Sequence, residues 1–369
     1  MKLGQRKLIR LAVLAMLLLS GCADNRPLNH RALVLALGFA PAPRGQISMI
    51  FQIPTPAGLA RPSMGGGKGE SSPTTFTLVG TGPTVARAFS SAQADLNKDL
   101  YFGQLQTLIL STHLSARQFG DIASTLARWG TLDKTAYTLA TPANVPLVLS
   151  TRSKTTPLAP LYVSTGFWCT HCPVVDLKRQ IWNLEQAQFA PAQDLWLPGI
   201  QPIAVGFQIQ PIVLYRGNRV ARILTPHQTT LLGYVLGRTN KGTVDLRWHG
   251  RRVSVDSLRA EPQLSARWQR SRLYLHVNLT VTGNIYSFPI PLAVEPRLTW
   301  LDQAVKHVLT VQCRALLQSL GRQGLDPFQW GDAFVWQHPH GLKTWLHAYR
   351  HAVWIISAHV QLRELGDNT

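Results

Sequence analysis

The sequence predicts an α+β protein with two to three small domains, in which mixed and antiparallel sheets pack against helices. Three observations carry that prediction. Strand-like and helix-like segments intermingle from residue 31 to residue 140. Short alternating segments separated by tight turns follow between 203 and 281. A long amphipathic stretch and a final strand-like segment close the chain. Hydrophobic residues make up 45% of the 369 positions, enough for real cores and too many for a disordered chain.

The first element in order is an export signal. Residues 1–10 carry Lys2, Arg6, Lys7 and Arg10 and no acid, and Leu11 to Leu19 is unbroken apolar sequence. That run is about half of the roughly 20 residues a bilayer-spanning helix needs. Leu19-Ser20-Gly21-Cys22 then has the form of a lipobox, with cleavage expected before Cys22 and lipid on its thiol. An ordinary secretory signal with a coincidental cysteine is the competing reading. Each buried methylene contributes about 0.8 kcal/mol, and durable anchoring takes more than one chain, which a lipoprotein cysteine supplies. No later stretch holds 18 uncharged apolar residues, so everything after Cys22 is expected outside the membrane.

Residues 31–39 read as a buried strand, Pro43-Arg44-Gly45 as a turn, and Ile47 to Ile53 as the returning strand of a hairpin. Residues 54–73 are rich in Pro, Gly and Ser and read as a surface loop. Gly65-Gly66-Gly67-Lys68-Gly69 is no phosphate-binding loop, because Gly rather than Ser or Thr follows the lysine. Thr75 to Val79 is strand-like. A helix runs from Thr84 to about Leu96 with Val85, Ala88, Phe89 and Ala92 on one face. After a strand at Leu105 to Leu110, Ser115 caps a helix reaching Trp129, striped by Phe119, Ile122 and Leu126. Ala136 to Ala140 is another strand.

Beyond a Pro-dense stretch, Leu161 to Val163 looks strand-like, Val174 to Ala187 looks helical, and Pro191 to Pro202 looks like a linker. Phe207 to Leu214 and Val220 to Leu224 form a hairpin around Arg216-Gly217-Asn218-Arg219, and Thr225 caps a helix to about Gly237. Val244–Trp248, Val253–Leu258, Leu264–Arg270 and Leu273–Val281 form an antiparallel meander. A helix from about Leu301 to Leu320 shows Val305, Val308, Leu309, Leu316 and Leu317 on one face, stopped by Gly321 and Gly324. Asp326-Pro327 has the pattern of a helix start, and Val353 to Leu362 is the last strand. The expected division is a signal at 1–21, a unit at 22–195, and a unit at 196–369 that divides near 240.

Lys and Arg number 37 against 18 acids, a formal +19, and four of those charges lie in the signal, leaving +15 beyond it. That balance suits an anionic membrane surface. Nucleic acid is an unsuitable partner, since the cations are scattered and lack interleaved aromatics.

The strongest catalytic-looking motif is Trp168-Cys169-Thr170-His171-Cys172-Pro173. A Trp-Cys-x-x-Cys between a strand and a helix is the context of thiol-disulfide oxidoreductases, where the helix N-terminus lowers a thiol pKa. The plainer reading is a structural disulfide between Cys169 and Cys172 in an oxidising compartment. Cys169, His171 and Cys172 crowd too closely to hold one zinc ion. His338, His340 and the i, i+4 pair His347 and His351 lack the Glu of a zincin helix and read as surface or interface histidines. Cys313 reads as a small core residue. No catalytic residue, metal or cofactor is assigned.

Landmarks along the whole chain resemble one family. They begin with Cys22-Ala-Asp24-Asn-Arg-Pro-Leu28-Asn29, then Ala32-Leu33-Val34-Leu-Ala36-Leu37-Gly38-Phe39. Gly82-Pro-Thr84-Val-Ala-Arg-Ala88 follows, with Phe102-Gly-Gln104-Leu105 running into Leu108-Ile109-Leu110. Val213-Leu-Tyr-Arg-Gly217 through Leu224-Thr225 comes next. Asp326-Pro-Phe-Gln-Trp-Gly331, Trp345 and Val360-Gln-Leu-Arg363-Glu-Leu-Gly366 close the series. In order and spacing these resemble the Ger(x)C spore germination lipoproteins, the C subunits of nutrient germinant receptors. Ala23, Pro27 and Gln104 depart from the usual Trp, acid and His, and residues 142–200 match poorly. The resemblance implies three small α+β domains of unusual fold. It implies a non-enzymatic subunit held by lipid on the outer face of the spore inner membrane, with an integral A subunit and a permease-like B subunit as partners.

Overall fold

The buried apolar residues fall into two cores, one of which continues into the C-terminal part of the chain, and period-two alternation decides which side chain of a shared strand enters which core. In the computed structural model the described residues are 27–55, 74–156, 158–169, 176–190, 192, 194–209, 211–239, 241–248, 250–287 and 295–364. Residues 1–26, with the expected signal and Cys22, lie outside them, as does most of the expected loop at 54–73.

The apolar run at 31–39 makes two strands, β1 (Arg31–Leu33) and β2 (Ala36–Pro41), because the chain shifts partners between them. β1 pairs in parallel with β5 (Asp99–Tyr101). β2 forms the expected hairpin with β3 (Ile47–Pro54), turned by Arg44 and Gly45, both with positive φ. With β4 (Thr75–Gly82), β6 (Thr107–Ser111) and β7 (Tyr137–Thr141) they give a mixed sheet in the order β4-β3-β2-β6-β7. Leu37, Phe39, Met49, Phe51, Leu108 and Leu110 face one core; Ala36, Ile50, Ile109 and Leu139 face the other.

The first core is covered by α1 (Val85–Ala94) and α2 (Ala116–Arg128). Thr84 caps α1 through its hydroxyl. Ser115 and Gln118 form a reciprocal capping box on α2, as expected from the sequence. Phe89 and Phe102 each pack edge to face on Trp129 beside them, and the three also line a cavity of about 370 Å³.

On the other face lie α3 (Val145–Ser150) and α4 (Ala159–Trp168). The expected strand at Leu161–Val163 is thus helical. Pro160 sits in the first turn, and Pro160, Val163 and Phe167 bury at helical spacing. The helix expected from Val174 begins only at α5 (Ile181–Phe189). Residues 176–179 are spent on pairing instead: the Asp176 amide donates to Arg238 O at 2.6 Å, and Arg179 O accepts from the Thr138 amide at 2.8 Å.

The expected linker is overturned outright. Residues 194–200 are all buried, and β8 (Trp196–Pro198) pairs with β11 (Ile212–Arg216). β11 makes the expected hairpin with β12 (Arg219–Ile223). The Ile200 amide donates to Ala140 O at 2.9 Å, joining this three-stranded sheet to the edge of β7. Thr141 Oγ1 donates to Ile200 O at 2.7 Å and accepts from the Ala143 amide at 3.1 Å. Alternation continues across the joint, with Leu197, Val213 and Tyr215 in one core and Trp196, Ile212 and Leu214 in the other. The segment expected as one strand at 207–214 is divided between β11 and β10 (Gly206–Gln208), which pairs with β9 (Gln201–Ile203).

α6 (Pro226–Val235) follows, capped by Thr225 and Gln228. A second sheet then takes the order β13-β14-β15-β16, from β13 (Gly242–Trp248), β14 (Arg251–Gln269), β15 (Arg272–Ser287) and β16 (Val353–Glu364). β13 to β15 are the antiparallel meander, and β16 lies parallel to β15. The strands expected at 253–258 and 264–270 are one, running through Pro262. β13 covers only residues 251–258 of β14, so the missing N–H of Pro262 falls beyond the neighbour's reach.

α7 (Glu295–Gln323) packs Leu301, Val305, Leu309, Cys313 and Leu317 against this sheet. It runs through Gly321, where a Cβ would lie 3.0 Å from Trp354 Nε1, and stops at Gly324, whose φ is 66°. The helix expected to start at Asp326-Pro327 begins instead at α8 (Trp330–Gln337), before α9 (Leu342–Arg350). Asp326 is turned inward, and its carboxylate holds the loop rather than a first helical turn.

The joint yields a stability test. Thr141→Val removes a buried hydroxyl and strands two backbone partners, so unfolding should cost about 1–3 kcal/mol less. A lower urea midpoint at unchanged slope is the expected result.

Candidate functional site

The cysteine motif sits at the wrong end of a helix for thiol chemistry. Cys169 is the C-cap of α4, and its amide donates to Thr165 O at 2.9 Å. Carbonyl groups gather at a helix C-terminus and disfavour a thiolate, the reverse of the oxidoreductase arrangement. The strand expected before the motif is α4 itself, and residues 176–179 after it are not helical. Cys169 is disulfide-bonded; Cys172 lies outside the described residues. Cys313 is buried in α7, and burial pushes its thiol up to about 12, as suits a core residue.

The histidines of the C-terminal region do not gather into a metal site. His338 stacks on Phe334 at 4.7 Å, and His347 and His351 stack on each other at 4.9 Å. Among the described residues no group of three or more His, Cys, Asp or Glu side chains is placed to hold a metal. His347 and His351 instead join Arg270, Arg272 and Lys343 around a cavity of about 970 Å³ at the β14–β15 turn, with no acid in its lining.

Three carboxylates, Asp194, Asp326 and Asp332, gather where α8 meets the segment before β8. The Asp326 amide donates to Asp194 Oδ2 at 2.7 Å, and the Asp194 amide donates back to Asp326 O at 3.3 Å. Asp326 accepts from the amides of Phe328 at 3.1 Å and Gly331 at 2.8 Å. Asp332 accepts from the Ala192 amide at 3.3 Å, and the Tyr349 hydroxyl donates to Leu325 O at 3.1 Å. Only 2% of Asp326 is exposed. Burial, reinforced by Asp194 and Asp332, raises its carboxyl from 3.8 to about 7, against the pull of its two amide donors. Asp194 is also raised by burial. The sequence signal for this knot was present at Asp326-Pro327 but suggested a helix cap; nothing local pointed to Asp194.

Family models match both halves of the chain. The spore germination protein N-terminal domain matches residues 24–171, and the spore germination B3/GerAC-like C-terminal domain matches residues 212–366. The chain belongs to the Ger(x)C family of spore germination proteins. The crystal structure of the GerBC protein superposes on it with a TM-score of 0.56 at 12% identity, over 88% of this chain and 96% of that one. At that identity the likeness speaks for the α+β fold alone. A search of curated proteins gives no match.

In this Ger(x)C chain the closing motif has a physical role. Gly331 leaves room that any side chain would fill: a Cβ there would lie 2.5 Å from Trp345 Nε1 and 2.7 Å from Ala192 O. Asp326 supplies the carboxylate and Gly331 the close approach that lock α8 onto the segment before β8.

The raised Asp326 carboxyl sets a pH dependence. A folded pKa of about 7 above an ordinary 3.8 means that the folded state binds this proton more tightly. The associated stability is complete below 3.8 and is lost as pH rises through about 7. Thermal midpoints should therefore fall over that window, and Asp326→Asn should flatten the slope. An unchanged slope in the variant would assign the titration to another group.

Proposed function

We propose that this protein is the lipid-anchored C subunit of a nutrient germinant receptor. Cys22 would carry the lipid and hold the body on the outer face of the spore inner membrane. There it would assemble with the integral A subunit and the permease-like B subunit and act without catalysis. The observation that carries this reading is the match of two spore germination domains across both halves of the chain.

Three further features support it. Among the described residues no helix is long and apolar enough to cross a membrane, so membrane attachment would rest on Cys22. The lipobox pattern stands at residues 19–22. A strong cationic excess, with Arg270, Arg272 and Lys343 around one cavity, suits an anionic phospholipid surface. We propose also that Cys169 pairs with Cys172 as a local brace. The two matched segments support a division into units at 22–195 and 196–369, and β13 opens a further sheet just after 240.

Cys22→Ala tests the anchor. The variant should take up no labelled fatty acid, leave the membrane fraction, and abolish the spore's response to its cognate nutrient. Full membrane retention together with normal germination would overturn the reading.

A further inference from the structure

We infer that a pocket between the start of β7, the segment entering α5 and the connection after α6 binds a small ligand bearing a carboxylate or phosphate, gripped by Arg179 and Arg238. This goes beyond the receptor-subunit reading, which assigns no ligand to this chain.

The cavity holds about 520 Å³, within the range of small-molecule sites. β7 supplies Tyr137 to its lining. The segment entering α5 supplies Lys178, Arg179 and Gln180, and the connection after α6 supplies Arg238. Among the described residues no carboxylate lines it.

Arg179 is the central group. Its backbone is pinned beside β7 through Thr138, and only 8% of the residue is exposed. Its guanidinium lies 3.8 Å from the centroid of Trp196, yet its Nε has no hydrogen-bond partner. Arg238 approaches the same ring to 5.6 Å. Gly237, at φ 65°, ends α6 and sends the chain to that position, where the Arg238 amide donates to Gly233 O at 2.8 Å. Burial first, and Arg238 second, lower the Arg179 pKa to about 9.

A purely structural role for this pair would call for an acid paired with one of the two cations, and among the described residues neither guanidinium has an ion-pair partner. Asp176, nearby, is engaged elsewhere: Oδ2 lies 3.8 Å from Lys178 Nζ, and Oδ1 accepts from the Lys178 amide at 3.2 Å. Two guanidinium groups that both reach the Trp196 ring and both line the cavity match an oxyanion in charge, and each carries further N–H donors that can form a fork. Lys178 also lines the cavity, with its charge matched by Asp176, and the amide side chains of Gln186 and Gln329 offer neutral hydrogen bonds to the rest of a ligand.

The test titrates the full chain at fixed ionic strength with acetate, with inorganic phosphate, and with phosphatidylglycerol vesicles against phosphatidylcholine vesicles. Tryptophan emission and the thermal midpoint are read. A specific response to at least one anionic probe is expected. Arg238→Gln should weaken it about tenfold or more. Arg238 is hydrogen-bonded through its backbone, so this variant keeps the fold even where Arg179→Gln does not. Arg270→Gln, at the other cationic cavity, should leave the response unchanged. Response to a free anion identifies a soluble ligand; response to phosphatidylglycerol alone, lost in Arg238→Gln, identifies a lipid headgroup. Silence toward every probe, or a response that Arg238→Gln leaves intact, overturns the inference.

Discussion

The Ile200 amide on the Ala140 carbonyl, at 2.9 Å, fixes how the later half of the chain meets the earlier one. Because β8 alternates between two cores, this contact sets more than a distance. Leu195 and Leu197 enter the core beneath α2, while Trp196 points to the other. A slip of one residue would exchange them and place two leucines where one indole now lies. The reciprocal bonds between Asp194 and Asp326 fasten the same segment from its other end, two residues before Trp196. The indole that Arg179 covers is thus held by a ladder on one side and a carboxylate knot on the other.

Local chemistry was readily legible in the sequence. Thr84, Ser115 and Thr225 cap helices as their patterns require, since a cap depends on only three or four neighbouring residues. The hairpins at Arg44-Gly45 and Gly217-Asn218 were equally plain, because a reversed chain needs residues that tolerate positive φ. The α+β class followed from these elements.

Misreadings arose where distant partners outvote local preference. Residues 191–202 have the Pro and Gly content of a linker, but β11 and β7 offer ladder partners on both sides and draw residues 196–199 into a sheet. At Leu161–Val163 a short apolar run resembled a strand, although Pro160, Val163 and Phe167 already had helical spacing. That one change reverses the electrostatics at Cys169, from the start of a helix to its end. The strands read separately at 253–258 and 264–270 are one, since Pro262 pairs with Leu279 of β15 on one side and faces no residue of β13 on the other. The arginine pocket left no local trace, since Arg179, Trp196 and Arg238 come from three separate segments and none belongs to a motif.

Arg179 raises the question of why a chain with so many exposed cations buries one. Stacking on an aromatic face contributes about 2 kcal/mol when desolvated. Withdrawing a charge from water costs several kcal/mol unless it is paired. Trp196 therefore offsets only part of the cost, and Arg238 adds repulsion instead of relief. Selection for stability alone would favour an apolar residue here, or an acid opposite. A site that must receive an anion has the opposite requirement, because its cations have to stay unsatisfied until the ligand arrives. The pocket's lining includes Tyr137 of β7 and Arg238 beyond α6, so an occupant would be gripped by both elements at once. Binding would then stabilise the relative placement of those two elements by the same free energy that it gains from holding them together.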